Sequence, residues 1–192
     1  MSIKDTKEDL RKALRVASQV PHEYEQVKES RAICEAIQGL EVWKQARYVL
    51  LYSPSPTEPD VMPLANNGLR QEKCIAFPRF DPAEGSYKAA LVQDTKHQLR
   101  KGKFGILEPV AECSELPIQS TDLILVPGMG FDTHGWRLGR GAGYYDRLLA
   151  TTNGTRIGVA YNWQIAETIP HEPHDVRMNW ILTPTLRLEI AP

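Results

Sequence analysis

The sequence predicts a layered α/β fold on three observations. Short runs such as Leu123–Val126 are apolar throughout, with no polar alternation, as in a strand covered on both faces of a parallel sheet. Segments with apolar residues at helical spacing alternate with these runs. The 192 residues, 42% hydrophobic and 24% charged, suit one ordinary globular domain spanning 1–192, large enough to bury a full core.

Taken in order, Leu10, Ala13, Leu14 and Ala17 recur at helical spacing and predict an amphipathic helix over 4–18. Lys7, Arg11 and Arg15 then stack at i, i+4 and i+8 on another side, a pattern that suits a solvated basic face as well as an anion site. A second helix is expected over 22–38, burying Ile33, Ala36, Ile37 and Leu40, with Gly39 breaking it near its end. RYVLLY at 47–52 reads as a buried strand. The next loop, 53–60, carries three prolines and leads into a helix at 61–69. Strands follow at 74–77 and 87–92, whereas 93–119 shows only short pieces around 104–107. After Leu123–Val126, a helix over 143–152, a strand at 156–160 and late strands near 179–183 and 186–190 complete the alternation.

The densest signal lies between that central strand and the helix after it. Residues 128–143 hold six of the 13 glycines. A strand, a glycine loop and a helix N-terminus in that order suit phosphate: glycine admits close backbone approach, and the helix end offers free N–H groups and a positive dipole end. Arg137 and Arg140 add permanent charges that match phosphate oxygens. Asp146 adds a hard oxygen donor of the kind Mg2+ prefers. The spacing is neither a P-loop nor a dinucleotide fingerprint, so composition alone leaves open a glycine-rich turn with solvated arginines.

The string Val126-Pro127-Gly128, Phe131-Asp132, Gly135, Arg137-Leu138-Gly139-Arg140-Gly141, Gly143-Tyr144-Tyr145-Asp146-Arg147 closely resembles the signature of the 5-formyltetrahydrofolate cyclo-ligase family. Less specific blocks fall in the family's order across nearly the whole chain: the helix with Lys7 and Arg11, the segment 48–58, Gly105-Ile106-Leu107-Glu108-Pro109, and His174-Asp175-Val176. The resemblance implies a three-layer α/β/α domain with a mostly parallel sheet, related to the sugar-phosphate isomerase and CoA-transferase folds. It also implies ATP- and Mg2+-dependent conversion of 5-formyltetrahydrofolate to 5,10-methenyltetrahydrofolate. In that reaction the formyl oxygen attacks the γ-phosphate and N10 then attacks the activated carbon. No protein nucleophile is needed, and no Ser/His/Asp or Cys/His constellation is visible.

Residue roles follow from the resemblance. Lys7, Arg11, Arg137, Leu138, Gly139, Arg140, Gly141, Ala142, Gly143, Tyr144 and Tyr145 are expected at ATP. Glu58, Arg140, Gly141, Gly143 and Tyr144 are expected at the reduced folate, with Arg140 and Tyr144 closest to the chemistry. Asp146 and Asp175 are expected at Mg2+. Ala142 stands where relatives often carry Gly or Lys, and Asn179 where a second Asp is often found. Two rival readings are an ATP-dependent ligase or kinase for another small molecule, and a non-catalytic folate or nucleotide binder.

A net charge of −1 gives no reason to expect nucleic acid or an anionic membrane as partner. No apolar run reaches the roughly 20 residues that span a bilayer, and the polar start lacks a signal-peptide core. A cytoplasmic, monomeric enzyme is expected. Cys34, Cys74 and Cys113 form no paired motif and read as reduced, inert thiols. His22, His97 and His134 read as surface residues. His171 and His174 have metal-pair spacing, but Pro170 and Pro173 argue against a helix presenting them, so no zinc is expected.

Overall fold

The computed structural model describes residues 3–18 and 23–191. The expected surface position of His22, and the first residue of the helix expected over 22–38, lie outside these. Three helices come first: α1 (Ile3–Ala17), α2 (Glu23–Gln38) and α3 (Glu41–Gln45). Then follow β1 (Tyr48–Leu50), α4 (Met62–Arg70), β2 (Cys74–Asp81), β3 (Ser86–Leu91), β4 (Leu99–Lys101), β5 (Leu107–Pro109) and β6 (Glu115–Leu116). The second half holds β7 (Leu123–Val126), β8 (Gly130–Asp132), β9 (Arg137–Leu138), α5 (Tyr144–Leu149), β10 (Thr155–Val159), β11 (Ile165–Ala166), β12 (Trp180–Leu182) and β13 (Arg187–Glu189).

The main sheet has the order β13-β12-β10-β7-β1-β2-β3-β6. Its central strands β12, β10, β7, β1 and β2 are all parallel, whereas β13 pairs antiparallel at one edge and β3 and then β6 pair antiparallel at the other. The expected mixed α/β architecture with a mostly parallel sheet is what forms. Among the described residues, no helix is long and apolar enough to cross a membrane.

Period-two alternation sorts the strand residues onto two cores. Val49, Leu51, Leu123, Leu125, Ile157 and Val159 face Ile33, Ile37, Trp43 and Leu64 of α2, α3 and α4. Leu50, Ile124, Val126 and Ile181 face the other way, onto Leu148, Leu149, Met178 and Ile190. That second face is covered by one short helix and irregular chain rather than by a full helical layer. Each wholly buried side chain of this kind contributes about 1.5–3 kcal/mol.

The differences from the expected elements have local causes. The helix expected over 143–152 begins only at Tyr144, because Gly143 takes φ +66° and sets the turn before it. The strand at 74–77 continues to Asp81 because β3 returns beside it in a hairpin, with Pro78 opposite Ala89. The 93–119 stretch resolves into the β4–β5 hairpin and β6. The five-residue α3 falls below the length at which periodicity is legible.

Phe131 fastens the glycine-rich segment to the sheet. It is wholly buried, and its ring fills the space that a Cβ on Gly158 would enter at 2.6 Å and one on Gly128 at 2.9 Å. Phe131→Ala should lower unfolding stability by about 3–5 kcal/mol. Urea denaturation reads this directly; a loss below about 1 kcal/mol would show that the loop is held some other way.

Candidate active site

At the carboxyl ends of the parallel strands, β1 runs out into Tyr52 and Ser53, β2 reaches Pro78, and β7 runs into Pro127 and Gly128. These residues, with Arg137, Arg140, Tyr144, Tyr145 and Asp146, line a cavity of about 530 Å³. This edge is where open parallel sheets bind ligands, since the strand-to-helix loops leave a crevice there. A second, wider groove of about 820 Å³ runs between α2, α4 and the loop at 54–60, and shares Ser55 and Glu58 with the first.

The glycine-rich segment is a short hairpin followed by a turn into a helix. β8 pairs with β9, Phe131 opposite Arg137. The wholly buried Asp132 closes the hairpin end: its Oδ1 accepts the N–H groups of His134 (3.0 Å) and Trp136 (2.9 Å), and its Oδ2 that of Ile169 (2.8 Å). Gly135 takes φ +90° in that turn. Arg137 therefore leaves the hairpin in a fixed direction. A Cβ on Gly139 would lie 2.9 Å from Arg137 Nη1, so glycine there gives the guanidinium its passage.

Both arginines expected at phosphate are paired with the acids expected at metal and folate. Arg137 Nη2 donates to Asp146 Oδ1 at 2.7 Å, with its side chain 5% exposed. Its Nε is buried and makes no hydrogen bond. Arg140, 59% exposed, reaches across the cavity mouth to Ser55 Oγ (2.9 Å) and Glu58 Oε1 (3.1 Å). Glu58 is further fixed because its Oε2 accepts the Ser55 N–H at 2.9 Å. The loop carrying these groups is pinned at its base: Tyr52 Oη donates to the Pro59 carbonyl at 2.7 Å and the Asp60 N–H donates to Ser30 Oγ at 3.0 Å.

The two tyrosines at the start of α5 point different ways. Tyr144 lies edge-on to Tyr87 (5.3 Å, 90°) and Phe80 (6.0 Å, 83°). Tyr145 is sandwiched between the two cores, and burial, then the nearby Glu58 charge, pushes its phenol well above the ordinary range. It stays protonated and can only act as a neutral donor or acceptor.

Helix α1 is clasped onto the site. Lys7 is buried, its Nζ 2.6 Å from Asp175 Oδ2 and 3.2 Å from Glu172 Oε2. Arg11 Nε donates to the Gly139 carbonyl at 3.0 Å. Lys7, Arg11, Leu138, Gly141 and Asp175 do not line the cavity itself. Leu138 packs its side chain against Leu14 and Ile169, and Gly141 (φ +102°) sits over the Arg11 guanidinium. Among the described residues, Glu172, His174 and Asp175 bring their donor atoms within 4.8 Å of one another, but Asp146 is not part of that group. His171 is stacked on Trp136, 3.7 Å between centroids and 7° between planes. His134 and His97 are exposed. The three cysteines are free, and burial pushes the Cys34 thiol up to about 12.

Sequence reasoning missed Ser53, Ser55, Pro78, Tyr87, Ile106 and Leu107 as wall residues. Ser53 Oγ is buried beside the wall, with no hydrogen-bond partner among the described residues. Its position just past the apolar strand β1 was the available signal.

Three comparisons bear on this arrangement. A family model described as the 5-formyltetrahydrofolate cyclo-ligase family matches residues 3–184. The 5-formyltetrahydrofolate cyclo-ligase of Mycolicibacterium smegmatis is 34% identical over 163 residues, covering 81% of this chain and 82% of that protein. The solution structure of the Aquifex aeolicus 5,10-methenyltetrahydrofolate synthetase superimposes with a TM-score of 0.87 at 32% identity, over 97% of this chain and 93% of that one. A Mycoplasma pneumoniae structure, 21% identical with a TM-score of 0.74, covers 93% and 98% of the two chains and shares the fold.

The Lys7–Asp175 pair carries a pH dependence. Burial pushes the Asp175 carboxyl up, but the hydrogen bond and charge of Lys7 and the Glu172 N–H outweigh it and hold it below the ordinary range. A depressed carboxyl contributes stability above the unfolded value, about 3.9, and loses it as pH falls through the lower folded value. Protease protection of α1 should therefore be complete at pH 7, begin to fall only below about pH 4 and be lost once the pH is below the folded value, whereas Asp175→Asn should lose part of it already at pH 7. Equal protection of the variant and the wild type at pH 7 would remove the pair from the docking of α1.

Proposed function

The chain belongs to the 5-formyltetrahydrofolate cyclo-ligase family, and from that premise we propose that it converts 5-formyltetrahydrofolate to 5,10-methenyltetrahydrofolate with ATP and Mg2+. The observation that carries this reading is the convergence of Arg137, Arg140, Asp146 and Glu58 beside the tyrosine wall in one cavity. Such a set offers guanidinium forks to phosphate oxygens and a carboxylate to the N–H groups of a neutral ring.

The N5-formyl oxygen attacks the γ-phosphorus, and ADP leaves. N10 then attacks the activated formyl carbon, and the C–O bond breaks to release inorganic phosphate, which takes the N10 proton. Positioning and charge stabilisation are the protein's share of this chemistry. Arg137 and Arg140 clamp phosphate oxygens in our reading, with Lys7 and Arg11 behind the glycine turn adding positive charge. The Gly139 to Gly143 turn, including Ala142, gives the phosphates backbone contact, with Leu138 taking part through its main chain. Glu58 accepts from N–H groups of the reduced pterin, and Tyr144 and Tyr145 flank the two substrates. Glycine, proline and tyrosine walls keep water from the reactive phosphate ester.

Asp146, on the cavity wall, is the carboxylate best placed to hold Mg2+; Asp175, the second acid we assign to it, is held by Lys7 off that wall and would have to leave the pair to reach the ion. Both are hard oxygen donors, as the ion requires, and each is already balanced by a cation, Arg137 and Lys7. When bound, Mg2+ would supply charge neutralisation on the phosphates.

Purified protein with 5-formyltetrahydrofolate, ATP and Mg2+ should generate the near-ultraviolet absorbance of the methenyl product, and samples lacking ATP or Mg2+ should not. Folate binding without product would favour the non-catalytic reading. Arg140→Lys should lower kcat/KM by about 10–100-fold, since an ammonium cannot reproduce the planar fork. Asp146→Asn should raise the Mg2+ needed for half-maximal rate by roughly tenfold while the folate dissociation constant holds. Normal turnover of the Asn variant at limiting Mg2+ would overturn its assignment.

A further inference from the structure

Behind the aromatic wall of the cavity stands a carboxylate for which the chemistry above has no use. Glu108, in β5, is 7% exposed, and among the described residues no cation pairs with it. A carboxylate taken out of water without a counter-charge is costly, and hydrogen bonds must offset that cost. One is evident: Glu108 Oε2 accepts the Phe80 N–H at 3.0 Å, at the end of β2. The other oxygen, Oε1, is buried and forms no bond of good geometry.

The polar group beside it is the Tyr87 hydroxyl. Burial first, and then the Glu108 charge, pushes that phenol up to about 12, so it stays protonated and faces the Glu108 carboxyl as a donor. Bonds of this kind are often loose before a ligand seats and tighten when it does. The backbone just after β4 closes over the carboxylate: a Cβ on Gly102 would lie 2.5 Å from Glu108 Cδ, so glycine lets the chain pass this close. Tyr87 is itself a cavity wall residue, as are Tyr144, Ile106 and Leu107. Phe80, Tyr87 and Tyr144 stand edge-to-face, with centroids 5.3–6.0 Å apart. Glu108 thus holds the backbone of Phe80, and Tyr87, directly opposite Phe80 in the hairpin with its ring 5.5 Å away, brings its hydroxyl beside the unpartnered Oε1.

We infer that Glu108 is a positioning residue for the folate ring: it takes the Tyr87 hydroxyl proton as its hydrogen bond, which turns the phenolic oxygen toward the cavity as an acceptor for ligand N–H groups and fixes the ring wall. The ligand selected is a flat heterocycle with amino and ring N–H donors on one edge, as in a reduced pterin. Triphosphate binding, at the arginines, does not depend on it. This rests on the cyclo-ligase reading.

Glu108→Gln tests the polarity. Its amide oxygen still accepts from Phe80, but its NH2 donates toward Tyr87 and reverses the hydroxyl. Tyr87→Phe removes the hydroxyl and leaves the carboxylate untouched, so it serves even if the Gln variant folds poorly. Calorimetry with 5-formyltetrahydrofolate should show each variant binding about tenfold more weakly, the size of one lost hydrogen bond to a charged network. The double variant should be no more than about twofold weaker than Tyr87→Phe alone. KM for ATP should stay within about twofold of wild type, and the KM for folate should move more than kcat. Additive losses in the double variant, an equal rise in both KM values, or unchanged folate binding would overturn the inference. If the wild-type chain neither binds nor converts 5-formyltetrahydrofolate, the functional reading fails and this one with it. Binding without turnover in the wild type would defeat only the catalytic reading, because the dissociation constants still compare.

Discussion

The site depends on keeping a guanidinium inside the protein. Arg137 is almost wholly covered, and an unpaired buried cation would be prohibitively unstable. Three features make it tolerable. Asp146 supplies the opposite charge from the first turn of α5, where a carboxylate is also favoured by the helix dipole. Gly139 clears the space its head group occupies. Asp132 locks the hairpin that launches it, using both carboxylate oxygens on backbone N–H groups. The order strand, hairpin, turn and helix brings these groups together at the carboxyl edge of the parallel sheet.

Much of this was legible in the sequence, and the reasons divide by length scale. The apolar runs at β1 and β7 and the helical periodicities of α1, α2 and α4 report burial, which periodicity encodes directly. The cluster of glycines and arginines reports a backbone that must turn tightly beside charge. The β8–β9 hairpin inside that cluster was not legible, because its two strands are only three and two residues long. Nor was the Lys7–Asp175 pair: lysine and aspartate 168 residues apart carry no local signal. Tyr87 and Ser53 escaped for the same reason, since a wall residue is defined by what folds opposite it.

The charges within the cavity are balanced as two arginine–carboxylate pairs, one buried and one at the mouth. The outer pair is the weaker partner, because solvent screens the exposed Arg140 head group. The inner pair is sheltered and does more to fix geometry. Such a division gives the cavity a fixed charged floor and a polar mouth open to solvent.

The clasp between α1 and the 172–175 turn has a consequence in time rather than in space. Lys7 emerges early during synthesis, and Asp175 only 168 residues later, which at ribosomal speeds of about 5–20 residues per second is roughly 10–30 s. Through that interval the first helix carries a lysine and an arginine with no finished surface to receive them, although the β1–β2 half of the sheet has the residues to collapse. During synthesis the docking of α1 onto the 172–175 turn therefore has to wait for nearly the whole chain, a long-range closure. A nascent or stalled chain would hold the residues of the cavity wall, which end at Asp146, before it held the partner that fastens its first helix.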